Sequence, residues 1–150
     1  MRKVLLVFTI VLTGMLMQAQ TLKGVTIGEV YKGDALIDKD EHKYFETTVG
    51  GLDGKLIILE SKDGTVLGVL FRTTGEVNSS DIPIFIKGVS KKYNIELNKA
   101  DENSYGGTNG DTNCMLIVSN DDWSFSFTIV NLPLLLKEDE AHKAKAMDDF

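Results

Sequence analysis

The residue types that most often carry out catalysis are sparse in this sequence, and their spacing matches no catalytic motif. The chain has one cysteine, Cys114, and two histidines, His42 and His142. A serine or cysteine nucleophile needs a base within hydrogen-bond reach, and the sequence contains neither a G-x-S-x-G elbow nor an S-x-x-K pair. Neither histidine belongs to an H-E-x-x-H motif. We therefore predict that the protein is not an enzyme.

Two acidic stretches contain ligand types for a cation, but both depart from the spacing of an EF-hand loop. Asp38, Asp40 and His42 stand at alternate positions, and the sixth position counted from Asp38 is a lysine where the EF-hand requires glycine. Counting from Asp101 gives glycine at the sixth position but threonine at the twelfth, where a glutamate is needed. We predict no metal and no cofactor.

Two polar surfaces are candidates for binding a partner. The segment 98–113 (NKADENSYGGTNGDTN) reads as a long loop, and loops of that length are commonly either functional or disordered. In the segment 123–130, aromatic and aliphatic residues alternate with hydroxyl residues, which predicts a half-buried strand with its hydroxyl side toward water. The candidate binding residues are Asp101, Glu102, Tyr105 and Asp111 in the loop, and Ser124, Ser126 and Thr128 on the hydroxyl side.

The charge balance disfavours nucleic acid as a partner. Without its first twenty residues the chain has 14 basic and 22 acidic side chains, a net charge of −8. Binding to a phosphate backbone depends on clustered Lys and Arg. The basic cluster Lys87, Lys91 and Lys92 has the spacing of the solvated face of one helix.

The first twenty residues have the organisation of a secretory signal peptide. Arg2 and Lys3 precede the apolar segment Val4–Met17, and Ala19 stands before the predicted cleavage site. The apolar segment has 14 residues, short of the roughly 20 that span a bilayer. A lipoprotein would need a cysteine at the cleavage site, and the one cysteine of the sequence is Cys114. We expect a signal peptide at 1–19. The mature domain, 20–150, is expected to be exported to the periplasm or the extracellular space without a membrane anchor, and not as a lipoprotein.

The segment 55–72 (KLIILESKDGTVLGVLFR) predicts the β-hairpin around which the fold is organised. Asp63 and Gly64 separate two apolar runs, and Asp-Gly in this position is a strong hairpin signal because glycine readily adopts positive φ. Both runs carry apolar residues on both faces, which favours the middle of a sheet that is covered on both sides.

Two helices are predicted around a second hairpin. The apolar residues of 80–93 recur with a helical period, and Pro83 lies in the first turn, where proline is tolerated. The segment 133–150 predicts a peripheral C-terminal helix, because few of its residues offer apolar surface for docking. A short strand is expected at 95–97, and a hairpin at 114–130.

These elements predict a single α+β domain. Its antiparallel sheet has about five strands, built from the meander 44–72 and the hairpin 114–130, with the helix 80–93 packed on one face and a C-terminal helix. The hairpins Lys55–Phe71 and Cys114–Val130 have similar lengths and turn positions. A duplicated helix-plus-hairpin unit is one interpretation of this similarity.

The export signal followed by helix-then-hairpin units resembles the β-lactamase-inhibitor-like modules over roughly 21–131. The ending Gln18-Ala19-Gln20 of the signal is similar to that of small uncharacterised exported proteins of Gram-negative bacteria. The first resemblance implies a fold of this architecture, and neither resemblance brings functional residues with it.

Three functions follow as hypotheses from these patterns. The first is an exported, non-enzymatic binding module for a protein or another envelope component. The second is a periplasmic carrier of a small molecule or an ion, which needs an enclosed apolar pocket or converging carboxylates. The third is a hydrolase without a recognisable motif, which needs a histidine beside a nucleophile or carboxylate in a cleft. The sequence leaves the oligomeric state open.

Overall fold

The computed structural model describes residues 21–109, 114–120 and 125–148, so the predicted signal peptide lies outside the described residues. The described chain forms ten strands and two helices. In chain order they are β1 (Thr21–Leu22), β2 (Val25–Thr26), β3 (Leu36–Ile37), β4 (Lys43–Val49), β5 (Leu52–Glu60), β6 (Val66–Thr73), α1 (Asp81–Tyr93), β7 (Asn98–Lys99), β8 (Ser104–Asn109), β9 (Cys114–Asn120), β10 (Phe125–Asn131) and α2 (Leu132–Asp148).

The α+β fold with an antiparallel sheet is confirmed, as are the helix on the sheet and the C-terminal helix. β4, β5 and β6 form the predicted meander. Gly50 and Gly51 connect β4 to β5 with positive φ at both residues, as a tight two-residue hairpin turn requires. Asp63 and Gly64 turn the chain between β5 and β6, and Gly64 has a φ of +84°.

The large sheet consists of two four-stranded meanders that meet at β6 and β10. Its strand order is β3-β4-β5-β6-β10-β9-β8-β7. Leu70 opposite Thr128 is the middle of the five register pairs that join the two halves. An approximate two-fold axis at this pair therefore relates the order of strands in the two halves. In each half a helix follows the four strands along the chain.

The sheet has eight strands, more than the five or so that the sequence predicted. The segment predicted as a 16-residue loop contains β7 and β8, and the strand expected at 95–97 lies at 98–99 instead. Strand pairing here depends on backbone hydrogen bonds and close packing, since the segment has few apolar side chains. Gly107 allows this packing, because a Cβ at this position would collide with the carbonyl oxygen of Glu96.

One face of the sheet, here called the core face, packs against α1. Phe85 of α1 contacts Phe125 at 4.8 Å between ring centroids, with perpendicular rings, and Phe127 at 5.5 Å. Phe71 of β6 lies 5.8 Å from Phe127. The helix from one half thus packs on aromatic residues from both halves, and a single core joins them.

The two remaining elements pack at the margins of this core. The small β1–β2 sheet contributes Leu22 and Val25, both buried. α2 has no buried residue, and its Leu134 is partly buried against the core. Glu138 of α2 accepts a hydrogen bond from the backbone N–H of Lys62 at 3.2 Å. The prediction of a peripheral C-terminal helix is consistent with these contacts.

Candidate functional site

The opposite side of the sheet, here called the outer face, carries the residues that alternate with the core. Arg72 follows the buried Phe71 in β6, and Ser126 lies between the buried Phe125 and Phe127 in β10. Successive side chains of a strand point to opposite faces. Arg72 and Ser126 are therefore on the outer face, where they stand directly opposite each other in register.

Two cross-strand rows organise the outer face. The charged row crosses four strands through the register pairs Glu46–Lys55, Lys55–Arg72 and Arg72–Ser126. The apolar row lies two residues along the strands, a separation of about 7 Å. It contains Leu36, Tyr44, Ile57, Leu70 and Thr128.

The charged row places two cations side by side in the middle of the sheet. Lys55 and Arg72 are direct cross-strand partners, which puts their Cβ atoms about 5 Å apart. Arg72 is exposed and Lys55 is half-buried. Among the described residues neither cation has a carboxylate within 4.0 Å. Like charges directly opposite each other in a sheet are unfavourable, so the two cations repel each other.

The aromatic ring of Tyr44 positions Lys55 within this row. The Lys55 ammonium nitrogen lies 5.1 Å from the Tyr44 ring centroid, a cation–π contact. Tyr44 belongs to the apolar row, where its neighbour Ile57 is half-buried and Leu36 at the sheet edge is 60% exposed. The outer face therefore presents the apolar row beside the two cations Lys55 and Arg72.

The structure separates the residues that the sequence proposed for binding. Ser126 and Thr128 are half-buried on the outer face, in the charged and apolar rows respectively. Asp101 and Glu102 lie in the exposed turn between β7 and β8. Tyr105 is partly buried against the core. Asp111 and Ser124 lie outside the described residues.

Asp101 has a structural partner set within its own turn. Its carboxylate accepts hydrogen bonds from the Ser104 side chain and from the Asn103 backbone N–H, the latter at 2.8 Å. The Ser104 bond, followed by the Asn103 bond, lowers the pKa of the Asp101 carboxyl below its ordinary value. These hydrogen bonds within the β7–β8 turn explain the position of the Asp101 carboxylate without a bound ligand.

Asp38, in the turn between β3 and β4, also accepts hydrogen bonds from groups within its own turn. It accepts hydrogen bonds from the backbone N–H groups of His42 at 2.9 Å and of Asp40 at 2.8 Å. The His42 bond is the largest of the effects that lower the Asp38 pKa. The ligand atoms of these three residues lie within 4.8 Å of one another. The hydrogen bonds of the turn explain this grouping.

Lys55 and Arg72 are the residues that sequence reasoning missed on the outer face. Arg72 carried a usable signal, because it is the one arginine after Arg2 and it alternates with the apolar residues of its strand. The pairing of Lys55 with Arg72 depends on the turn length and on a register shift near Leu59 and Glu60. The sequence alone does not supply that register.

Comparisons with protein-family models, with curated proteins and with solved structures gave no significant match. Over the described ranges 21–109, 114–120 and 125–148, neither helix combines the length and apolarity needed to cross a membrane.

Proposed function

We propose that this protein is an exported, non-enzymatic binding module and that the outer face of its sheet binds a protein or another component of the cell envelope. The observation that carries the proposal is the pair of rows on this face. The apolar row is partly accessible and adjoins two cations, Lys55 and Arg72, that lack an acidic partner among the described residues. The signal-peptide pattern of 1–19 supports export.

The dimensions of the outer face fit a weak, reversible interaction. In the order of the sheet, the six strands β4, β5, β6, β10, β9 and β8 give the outer face a width of about 25 Å across the strands. Its length along the strands is about 20 Å, so its area is roughly 500 Å². An interface of this size buries about 1,000 Å² in total, at the lower limit for a specific protein complex. We expect transient binding.

The space that a small-molecule carrier would need between helix and sheet is filled by side chains. Phe71 lies 6.3 Å from Phe85, and both rings stack within the cluster that includes Phe125 and Phe127. All four of these phenylalanines are at most 3% exposed. This packing favours the binding module over the carrier.

The surroundings of the described histidines favour a binding role over hydrolysis. The Nδ1 atom of His42 lies 3.5 Å from a carboxylate oxygen of Asp38 on an exposed loop. His142 is exposed on α2, a helix with no buried residue. A hydrolase would instead hold a histidine beside a nucleophile in a sheltered cleft.

Site-specific photocrosslinking in envelope extract tests the proposal. A benzophenone amino acid replaces Thr128 on the outer face in one variant and Lys87 on the exposed side of α1 in the other. We expect a discrete crosslinked product from the position-128 probe. Its yield should fall when an excess of the same protein without the benzophenone amino acid is added as a competitor.

The position-87 probe is the control, since Lys87 is exposed on a helix of the same domain and lies away from the outer face. Equal yields from both positions would show non-specific capture. The same product with strong yield at position 87 alone would place the binding surface on α1 and contradict the proposal.

A further inference from the structure

We propose that Lys55 and Arg72 form a carboxylate-binding site for an extended acidic segment of a protein partner. This inference rests on the proposed function and specifies the chemistry of the partner. Its starting point is the register pair of Lys55 on β5 and Arg72 on β6, which concentrates two positive charges at the centre of the outer face.

The charge of the whole chain makes this pair unusual. Residues 21–150 contain 22 acidic and 14 basic side chains. Arg72 is the single arginine among those 14 basic residues, and it is exposed without an acidic partner among the described residues. A guanidinium group offers a planar fork of N–H donors that matches the two oxygens of a carboxylate.

The surroundings of Arg72 are suited to one localised anion. Lys55 lies on one side and Ser126, a hydroxyl donor, on the other. An anion between the two cations would relieve their mutual repulsion. Glu46 stands beyond Lys55 in the same row and limits the positive region to these strands.

This limited positive region favours a carboxylate on a peptide over a polyanion. A nucleic acid or an anionic membrane extends over many charges, and the acidic surface of the remaining chain would repel it. A single acidic side chain needs only the Lys55–Arg72 pair. Charge complementarity thus points to a protein segment.

The apolar row adds a second feature to the partner. Ile57 and Leu70 lie two residues from Lys55 and Arg72 along their strands, a spacing of about 7 Å that also separates alternate side chains of an extended peptide. A partner with an acidic residue and an apolar residue two positions away matches both rows.

Titration of the ¹⁵N-labelled protein by NMR tests this inference. The probe is the acetylated peptide Thr-Glu-Thr-Val-Thr, compared with the same peptide carrying Gln in place of Glu. We expect saturable shifts of the amides of Lys55, Leu70 and Arg72, with the Glu peptide binding about tenfold more tightly. This preference should weaken as the salt concentration rises from about 0.05 M to about 0.5 M.

Protein variants distinguish the contribution of the bidentate hydrogen bonds of the Arg72 guanidinium from the contribution of its positive charge. Arg72→Gln should remove the preference for the Glu peptide, and Arg72→Lys should keep part of it because the charge remains. Lys87→Gln removes the same charge from α1 and should leave binding unchanged. Unaltered dispersion of the NMR spectrum in each variant shows that the fold is intact.

Three outcomes would overturn the carboxylate site. Equal affinity of the Glu and Gln peptides for the outer face would agree with the proposed binding module but contradict a carboxylate-binding site at Lys55 and Arg72. Equal effects of Arg72→Gln and Lys87→Gln would show general electrostatic attraction. Shifts at Lys55 and Arg72 with inorganic phosphate, but with neither peptide, would assign the pair to a phosphate ligand.

Discussion

At the scale of single residues, the described chain uses short polar side chains to complete the backbone hydrogen bonds of the sheet and the helix. The buried hydroxyl of Thr73 donates to the carbonyl of Phe125 at 3.1 Å and accepts from its N–H at 3.0 Å. The buried amide of Asn109 donates to the carbonyls of Tyr93 and Asn94, at the C-terminal end of α1. Such bonds matter because an unpaired backbone group is costly to bury.

Gly68 is required by the close approach of β6 and β10. A Cβ at this position would collide with the carbonyl oxygen of Ile129 and lie 2.6 Å from Cγ1 of Val130. We predict that Gly68→Ala lowers the free energy of unfolding by about 1–3 kcal/mol, the usual cost of overpacking. Urea denaturation followed by circular dichroism measures the change.

Gly75→Ala is the matched control, because a Cβ at Gly75 meets no atom within 4 Å. Its free energy of unfolding should stay within about 0.5 kcal/mol of the unsubstituted protein. If both alanine variants were equally stable, the β6–β10 approach would be looser than the structure shows.

Asp63 in the central hairpin makes the stability of the turn depend on pH. The Ser61 hydroxyl donates to its carboxylate, and the Thr65 N–H donates to it at 3.0 Å. The Ser61 bond is the main cause that lowers the Asp63 pKa to about 2. Because the folded pKa lies below the unfolded value of about 3.9, the stabilisation is present above pH 4 and is lost as the pH falls toward 2.

We predict that Asp63→Asn reduces the loss of thermal stability between about pH 4 and pH 2. Melting temperatures recorded across this range measure the slope. Glu102→Gln, at an exposed carboxylate in the β7–β8 turn, serves as the comparison and should retain the original slope. Parallel curves for all three proteins would contradict a role for Asp63.

At the scale of elements, α1 packs on the core through one apolar face, whereas α2 contacts the core through Leu134 near its N-terminal end. α1 buries Phe85, Val89 and Tyr93, whereas α2 buries no residue over its 17 positions. Most of the stability of a protein helix comes from packing of its apolar face. The two helices should therefore differ strongly in their contribution to the fold.

Phe85 is the residue through which α1 packs on both halves of the sheet. We predict that Phe85→Ala lowers the free energy of unfolding by about 3–5 kcal/mol, because it leaves a cavity among three aromatic rings. Chemical denaturation provides the measurement. Ile84→Ala is the control, since Ile84 precedes it on the same helix and is 69% exposed. A cost at Ile84 as large as that at Phe85 would mean that α1 packs through a different face.

At the scale of the whole molecule, two meanders share one core. The sheet joins them through β6 and β10, and Phe85 from the first half packs on Phe125 and Phe127 from the second. Each half alone would expose a central strand and lose these contacts. The two halves therefore share the contacts that form the core.

We predict that the fragments 21–96 and 97–148 are unfolded separately and form strand structure when mixed. A single core of fewer than about 80 residues rarely supplies more than about 5 kcal/mol, and separation removes the aromatic contacts of Phe85. Far-ultraviolet circular dichroism of each fragment and of the equimolar mixture measures this. Cooperative unfolding of 21–96 alone would show that the first meander and α1 are an independent domain.

The local patterns of the sequence determined the elements with strong periodicity. The meander at 44–72, the helix at 80–93 and the alternation of Phe125, Ser126 and Phe127 could be predicted because neighbouring residues fix turns, helical faces and strand faces. Segment 98–113 could not, since β8 is held by backbone pairing with β9, and few of its residues are apolar.

Only the tertiary structure decided which polar residues share a surface. Lys55 and Arg72 are distant in sequence and become neighbours through the β5–β6 register, while Tyr105 and Ser126, both proposed for binding, are placed toward opposite faces of the sheet. A shift of one residue in strand register exchanges the two faces. The sequence therefore specified the strands and their alternation, and the packing of the two halves selected the register that forms the outer face.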